Sequence, residues 1–383
     1  MKSYSEKLFR RIDVFGFLLL VISICFYSNT AHSQVAAQNS LEFSPELSLR
    51  YFPAANNISG NSFGGEFIYH MAINEHSKDW QKKLKLNSTD FIFRYNSFQQ
   101  LKINDLANQF ANSYALLYGL NISILKYRFL QLNLSPGFGI GYTGKTIYTN
   151  ENKIIGSHFN LYSRAALKAE IQLSVATKLS GGINFLHFSN AGTRVPNIGM
   201  NTSSISIGLI RYLKSKSPQK ATPNTDNFKD TLTKHEFEFG ANIGRRGVYK
   251  STDGLYKAGF YTGYNYRLNT LLGLAVGLDA VYYHTVYDPA RNSETYQSNA
   301  TSLKPWRLGT AIGPDFYLGR SVLSLKYGYY LYFNSLKPIN TYWSAGYKYH
   351  LYKSISLQSR LYVHKAEADY LGFGVVVNLL KIK

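Results

Sequence analysis

Two residues in this chain of 383 have the types and spacing for acyl transfer: His187 and Ser189. They lie in Phe185-Leu186-His187-Phe188-Ser189-Asn190-Ala191-Gly192, which reads as a strand entering a turn. Side chains two apart in an extended chain share a face, so an imidazole stands beside a hydroxyl. A serine hydroxyl is a poor nucleophile at neutral pH unless a base takes its proton as it attacks. His-x-Ser alone recurs by chance, so its surroundings decide what it means. Asn190 and the backbone amides of Ala191 and Gly192 suit an oxyanion hole, because glycine permits a tight turn that aims amides at one spot. The same three residues also read as plain turn chemistry. Arg194, in the loop that continues to Asn201, is placed to pair with a phosphate or simply to be solvated.

The elements that must carry these residues belong to an exported chain. Residues 1–33 hold Lys2, Lys7, Arg10 and Arg11, then the apolar run Val14 to Phe26, then Ala31-His32-Ser33. That order is a secretory signal, with cleavage expected after Ser33; the run is too short to span a bilayer as a helix. The single cysteine, Cys25, falls inside it, so the mature chain has no disulfide, thiolate metal site or cysteine nucleophile. His70, His158, His284 and His350 show no ligand spacing, and no metal or other cofactor is expected. The signal carries four basic and two acidic residues, so the net charge of +20 falls only to about +18 on its removal. A basic exported chain calls for an anionic partner, and lipopolysaccharide phosphates fit better than nucleic acid outside the cell.

Aromatic residues make up 15% of the chain, with 32 Tyr and 24 Phe, against 17% charged. Tyrosine at this density suits membrane interfaces, where the ring is buried and the hydroxyl wet. Segments such as Ser204-Ile205-Ser206-Ile207-Gly208-Leu209 alternate apolar with small polar residues, giving one oily face. Together with the signal, this predicts an all-β fold, an antiparallel outer-membrane β-barrel of a Gram-negative bacterium. Strands are expected near 42–52, 63–73, 89–98, 111–125, 129–146, 157–173, 178–190 and 201–214. An even count starting in the periplasm puts His187 and Ser189 at the outer end of the seventh strand, with the following loop outside.

Residues 215–234 are polar and contain proline, the composition of a linker. A second series follows near 235–243, 254–267, 271–286, 305–317, 321–334, 340–352, 355–364 and 369–382. The expected architecture is two tandem eight-stranded barrels, 34–214 and 235–383, with one sixteen-stranded barrel as the alternative. The stretch ending at His364 matches the stretch ending at His187 in character, with one residue of slip. Beyond it Ala366 takes the place of Ser189 and Glu367 that of Asn190, so the second copy lacks the serine. The chain ends Leu379-Leu380-Lys381-Ile382-Lys383, without the terminal aromatic usual in many such barrels.

Residues 42 to 214 resemble the lipid A 3-O-deacylases of the PagL type, acyloxyacyl hydrolases built as eight-stranded outer-membrane barrels. The resemblance rests on His187-Phe188-Ser189-Asn190-Ala191-Gly192, on Pro196, Asn197 and Gly199, and on Gly208-Leu209-Ile210-Arg211-Tyr212. It implies an esterase removing the 3-O-linked hydroxyacyl chain of lipid A, with Ser189 as nucleophile and His187 as general base. It also implies a site on the barrel wall at the level of the outer leaflet. Where the family carries an acid to orient the histidine, this chain has Asn201. Three readings follow: Asn201 orients the ring as an amide, Glu66 or Glu170 substitutes in space, or the site is inert. A non-catalytic structural or adhesive barrel is the second reading of the whole chain. A porin is a third, since eight-stranded barrels are filled by side chains.

Overall fold

The computed structural model describes residues 38–52, 58–73, 78–150, 154–213, 233–248, 254–288, 298–352, 354–365 and 367–382. The signal, most of the linker and Ala366 lie outside these described residues. Alternating residues that leave one oily and one polar face close into two separate antiparallel barrels of eight strands each, so the sixteen-stranded alternative does not hold. Among the described residues no helix is long and apolar enough to cross a membrane.

The first barrel is built from β1 (Ser40–Phe52), β3 (Phe63–Ala72), β4 (Leu86–Ser97), β6 (Ser113–Tyr127), β7 (Leu130–Thr143), β8 (Phe159–Ser174), β9 (Thr177–Ser189) and β10 (Met200–Tyr212). Pairing of β1 with β10 closes it. Three short elements escaped the sequence pattern. β2 (Ile58–Ser59) and β5 (Lys102–Ile103) form a small separate sheet in the outer loops, and α1 (Asp79–Lys83) sits in the long inner connection between β3 and β4.

The second barrel runs through β11 (His235–Gly247), β12 (Gly254–Arg267), β13 (Leu272–Tyr283), β14 (Trp306–Leu318), β15 (Ser321–Tyr332), β16 (Thr341–His350), β17 (Ile355–His364) and β18 (Glu367–Ile382). β11 pairs with β18 to close it.

An eight-stranded barrel has room for side chains inside but little else, so inward polar groups must satisfy one another. In the first barrel Glu66 takes Arg94 at 2.5 Å and Arg164 at 2.6 Å, and Arg94 also reaches Glu46. Lower down, Lys168 and His70 share Glu42, and the other nitrogen of His70 meets Asp90 at 2.8 Å. Toward the outer end the filling turns apolar, with Ile68, Ile92, Leu117, Tyr162, Leu186, Phe188 and Met200 packed beneath loop residues Phe98, Leu101, Phe110, Ile154 and Ile155. The second barrel is filled in the same manner: Lys348 bridges Glu238 and Asp315, while Asp369 pairs with Lys257 and Arg307. These interiors are packed with side chains, which offers a porin reading no support.

The outer faces are the reverse. Phe43, Leu47, Phe67, Phe91, Phe138, Ile140 and Ile183 stand exposed around the first barrel, as a wall in contact with lipid requires.

One expected equivalence fails. His187 stands on the outward face of β9, but His364 is fully buried inside the second barrel, hydrogen-bonded to Tyr330 and 3.2 Å from Arg307. The one-residue slip needed to match the two stretches is the physical reason, because a slip of one along a strand turns every side chain to the opposite face.

Candidate functional site

The packing of β9 sets which way the candidate residues point. Leu186 and Phe188 are buried in the outer apolar layer, and Phe188 lies flat against Tyr162 with ring centroids 4.7 Å apart. With these two fixed inward, His187 and Ser189 must face out through the wall. Across the ladder on β10 the partner of His187 is Asn201, which faces out as well.

The three side chains form a line. His187 Nε2 lies 3.2 Å from Ser189 Oγ, and His187 Nδ1 lies 2.7 Å from Asn201 Oδ1. With its proton on Nδ1 the ring donates to the Asn201 carbonyl oxygen, leaving Nε2 to accept from the serine hydroxyl. All three are half-buried at the rim of the wall. Glu66 and Glu170, the other carboxylates considered from sequence, do not join them. Glu66 is locked between arginines inside the barrel, and Glu170 is buried against Asn133 and Lys178 near the inner end. A cavity of about 310 Å³ at that inner end, lined by His70, Asn87, Glu170 and Lys178, is at the opposite end of the barrel from Ser189.

The loop after Ser189 is tightly tied. Asn190 is buried, and its side-chain amide donates to Ser157 Oγ and to the Arg194 carbonyl, both at 3.0 Å. Its Oδ1 accepts from the Gly192 N–H, also at 3.0 Å. The Asn190 amide and the Gly192 N–H are therefore engaged in holding the turn. Among the described residues the Ala191 N–H is the member of the trio with no acceptor. Ala191 and Gly192 both adopt positive φ, +54° and +80°. Tyr148, from the β7–β8 loop, donates its hydroxyl to the Val195 carbonyl and lies under the Arg194 guanidinium, 5.5 Å from the ring centroid.

Sequence reasoning missed the part played by Gly199. Its φ is +81°, and a Cβ there would lie 3.0 Å from the His187 ring and 3.1 Å from Ser189 Cβ. Glycine is thus required for the loop to close over the pair. The signal was visible as a glycine two residues before Asn201, but the contact that explains it exists only in three dimensions.

This site sits in a chain that matches two family models. Residues 69–209 match "Lipid A 3-O-deacylase (PagL)", and residues 235–381 match "Acyloxyacyl hydrolase, C-terminal domain". The chain belongs to the PagL family. Its place is accordingly the Gram-negative outer membrane, among hydrolases that deacylate lipid A. His187, Ser189 and Asn201 all fall in the PagL-matching segment, and the C-terminal family model coincides with the second barrel.

No curated protein matches the chain in sequence. Among solved structures, the outer membrane enzyme PagL is similar at 14% identity, covering 44% of this chain and 97% of its own, with a TM-score of 0.30. Omp33 of Acinetobacter baumannii is 10% identical, covering 91% of this chain and 100% of its own, with a TM-score of 0.17. An active-site mutant of outer membrane phospholipase A from Escherichia coli is 11% identical, covering 93% and 95%, with a TM-score of 0.18.

Proposed function

We propose that this protein hydrolyses the 3-O-linked hydroxyacyl ester of lipid A by a serine mechanism carried on the outer wall of its first barrel. The observation that carries the reading is the continuous line Ser189, His187, Asn201, facing outward at the rim of the barrel wall. Ser189 Oγ attacks the ester carbonyl carbon while His187 Nε2 takes the hydroxyl proton. The tetrahedral oxyanion collapses, and His187 returns that proton to the departing sugar oxygen. Water, activated by the same nitrogen, then cleaves the acyl-serine and frees a hydroxy fatty acid. Neither step calls for a cofactor.

Asn201 fixes the ring through its Nδ1 proton but brings no charge to the imidazolium that forms. The Ala191 N–H, held by the Asn190 turn, is the donor assigned to the oxyanion. Asn190 and Gly192 act by shaping that turn. Leu161 stands beside the serine across the β8–β9 ladder, and Ile183, Phe185 and Ile205 are exposed below it on the same face, an apolar strip along which an acyl chain lies in register with its neighbours in the leaflet. Arg194 is assigned to a lipid A phosphate, its guanidinium braced on Tyr148.

An inert barrel that keeps the motif as loop chemistry is the competing reading, favoured by the amide at 201. A serine-directed lipid-ester probe separates the two. Labelling at Ser189, located by peptide mass spectrometry and absent after Ser189→Ala, is expected; an unlabelled serine in folded protein would sink the enzymatic reading.

A further inference from the structure

The outer rim of the second barrel touches the loop that follows Ser189. At the end of β11 the Gly247 N–H donates to the Gly192 carbonyl at 2.8 Å. A Cβ on Gly247 would lie 2.7 Å from Arg194 Cα and 2.8 Å from the Thr193 carbonyl oxygen, and both are backbone atoms that cannot step aside without moving the loop. On its other side Gly192 is held by Asn190 Oδ1. The peptide plane before Gly192 is thus pinned from within the loop, and the plane after it is held both by the Thr193 N–H on the Asn190 carbonyl, at 3.1 Å, and by the second barrel.

The barrels also meet at the inner end. Lys83, in α1, donates to Thr270 Oγ1 at 2.7 Å, and a Cβ on Gly319 would come within 3.0 Å of Trp80 Nε1. Contact at both ends sets the two walls side by side, and it is this placement that delivers Gly247 to the loop.

We propose that the second barrel is a positioning element for the nucleophile loop, with Gly247 as the positioning residue acting through Gly192. The proposal rests on the reading of Ser189 as nucleophile. Gly247 touches no reacting atom. Its effect is to hold the Asn190-Ala191-Gly192 turn in one geometry before substrate arrives, so that no reorganisation is needed as charge develops. A shift of about 1 Å in such a turn is enough to cost on the order of 100-fold in rate. This gives the second barrel, which has no counterpart of Ser189, a task in the chemistry of the first.

The test uses the full chain refolded in detergent, with folding confirmed by heat-modifiable gel mobility. Gly247→Val should lower kcat for hydroxyacyl release from lipid A by roughly 10- to 100-fold with KM unchanged. Ile243→Ala, a change at an exposed side chain of the same strand, should change neither. If valine blocks folding, Gly247→Ala replaces it, since its Cβ meets the same backbone atoms. Two further readouts do not depend on lipid A turnover. A short bismaleimide should bridge Val248→Cys, which leaves Gly247 intact, to Thr193→Cys in one chain, and a fluorophosphonate should label Ser189 more slowly in Gly247→Val than in wild type. Failure of the bridge in folded protein, or equal kcat and equal labelling in Gly247→Val and wild type, overturns the proposal. If wild type releases no acyl chain, the lipid A reading fails by itself and the labelling ratio decides the positioning role; a wild-type serine that does not label at all overturns both.

Discussion

Asn201 Oδ1 stands 2.7 Å from His187 Nδ1, directly across the β9–β10 ladder. In the proposed mechanism an amide oxygen there holds the ring's tautomer but cannot offset the positive charge that His187 would acquire as Ser189 attacks. Asn201→Asp places a carboxylate oxygen at nearly the same point without lengthening the side chain. We expect kcat to rise by about tenfold or more, from a contribution of the kind general-base catalysis makes. Asn201→Ala should lose a comparable factor, because the ring is then free to turn. Steady-state hydroxyacyl release by the three proteins checks this; equal rates in all of them would remove Asn201 from the mechanism.

Gly199 is the second point of leverage. A methyl group there meets the His187 ring and Ser189 Cβ at once, on a backbone at φ +81° that side chains resist. Gly199→Ala should cost about 1–3 kcal/mol locally and reduce kcat by roughly tenfold or more by spreading the His–Ser pair. Tyr148→Phe serves as a milder comparison, since it removes one hydrogen bond to the same loop without entering the site. Kinetics that fall with Gly199→Ala and hold near wild type with Tyr148→Phe are the expected pattern.

Inside the barrel the expectation is the opposite, a loss of stability without a loss of chemistry. Glu66 accepts from Arg94 and Arg164, all three buried. Glu66→Ala removes the carboxylate paired with Arg164 and leaves Arg94 with Glu46 alone, a change that costs about 3–5 kcal/mol when a buried pair is broken. Urea unfolding of the refolded barrel should shift accordingly, while kcat of the folded fraction stays at the wild-type value. A collapse of kcat with intact stability would place Glu66 in the site after all.

Much of this arrangement can be read from residue order, for reasons that differ by element. Long alternating runs such as 254–267 and 355–364 appear as strands with the same limits, because a period of two repeated over ten or more residues has few other solutions. The partnership of His187 with Ser189 follows from the same period, and so does the inward placing of Phe188. α1 and the β2–β5 pair were not legible: five residues are less than two helical turns, and two residues carry no period at all. The mismatch of His364 with His187 shows the limit of character matching, since the slip that improves the match reverses the face. Glu66 and Glu170 looked eligible as substitutes until the barrel closed with both inside. Gly199 and Gly247 earn their places through contacts with residues far off in space or sequence, which no local pattern announces.

In the proposed function Ser189 cleaves an ester of lipid A from the outer wall of the first barrel. The direct measurement is mass spectrometry of lipid A after incubation with the refolded wild-type protein and with Ser189→Ala. Loss of one hydroxyacyl unit with the wild type and its absence with Ser189→Ala is the predicted result. Unchanged lipid A under conditions in which an established deacylase is active, or equal loss with both proteins, would contradict the account.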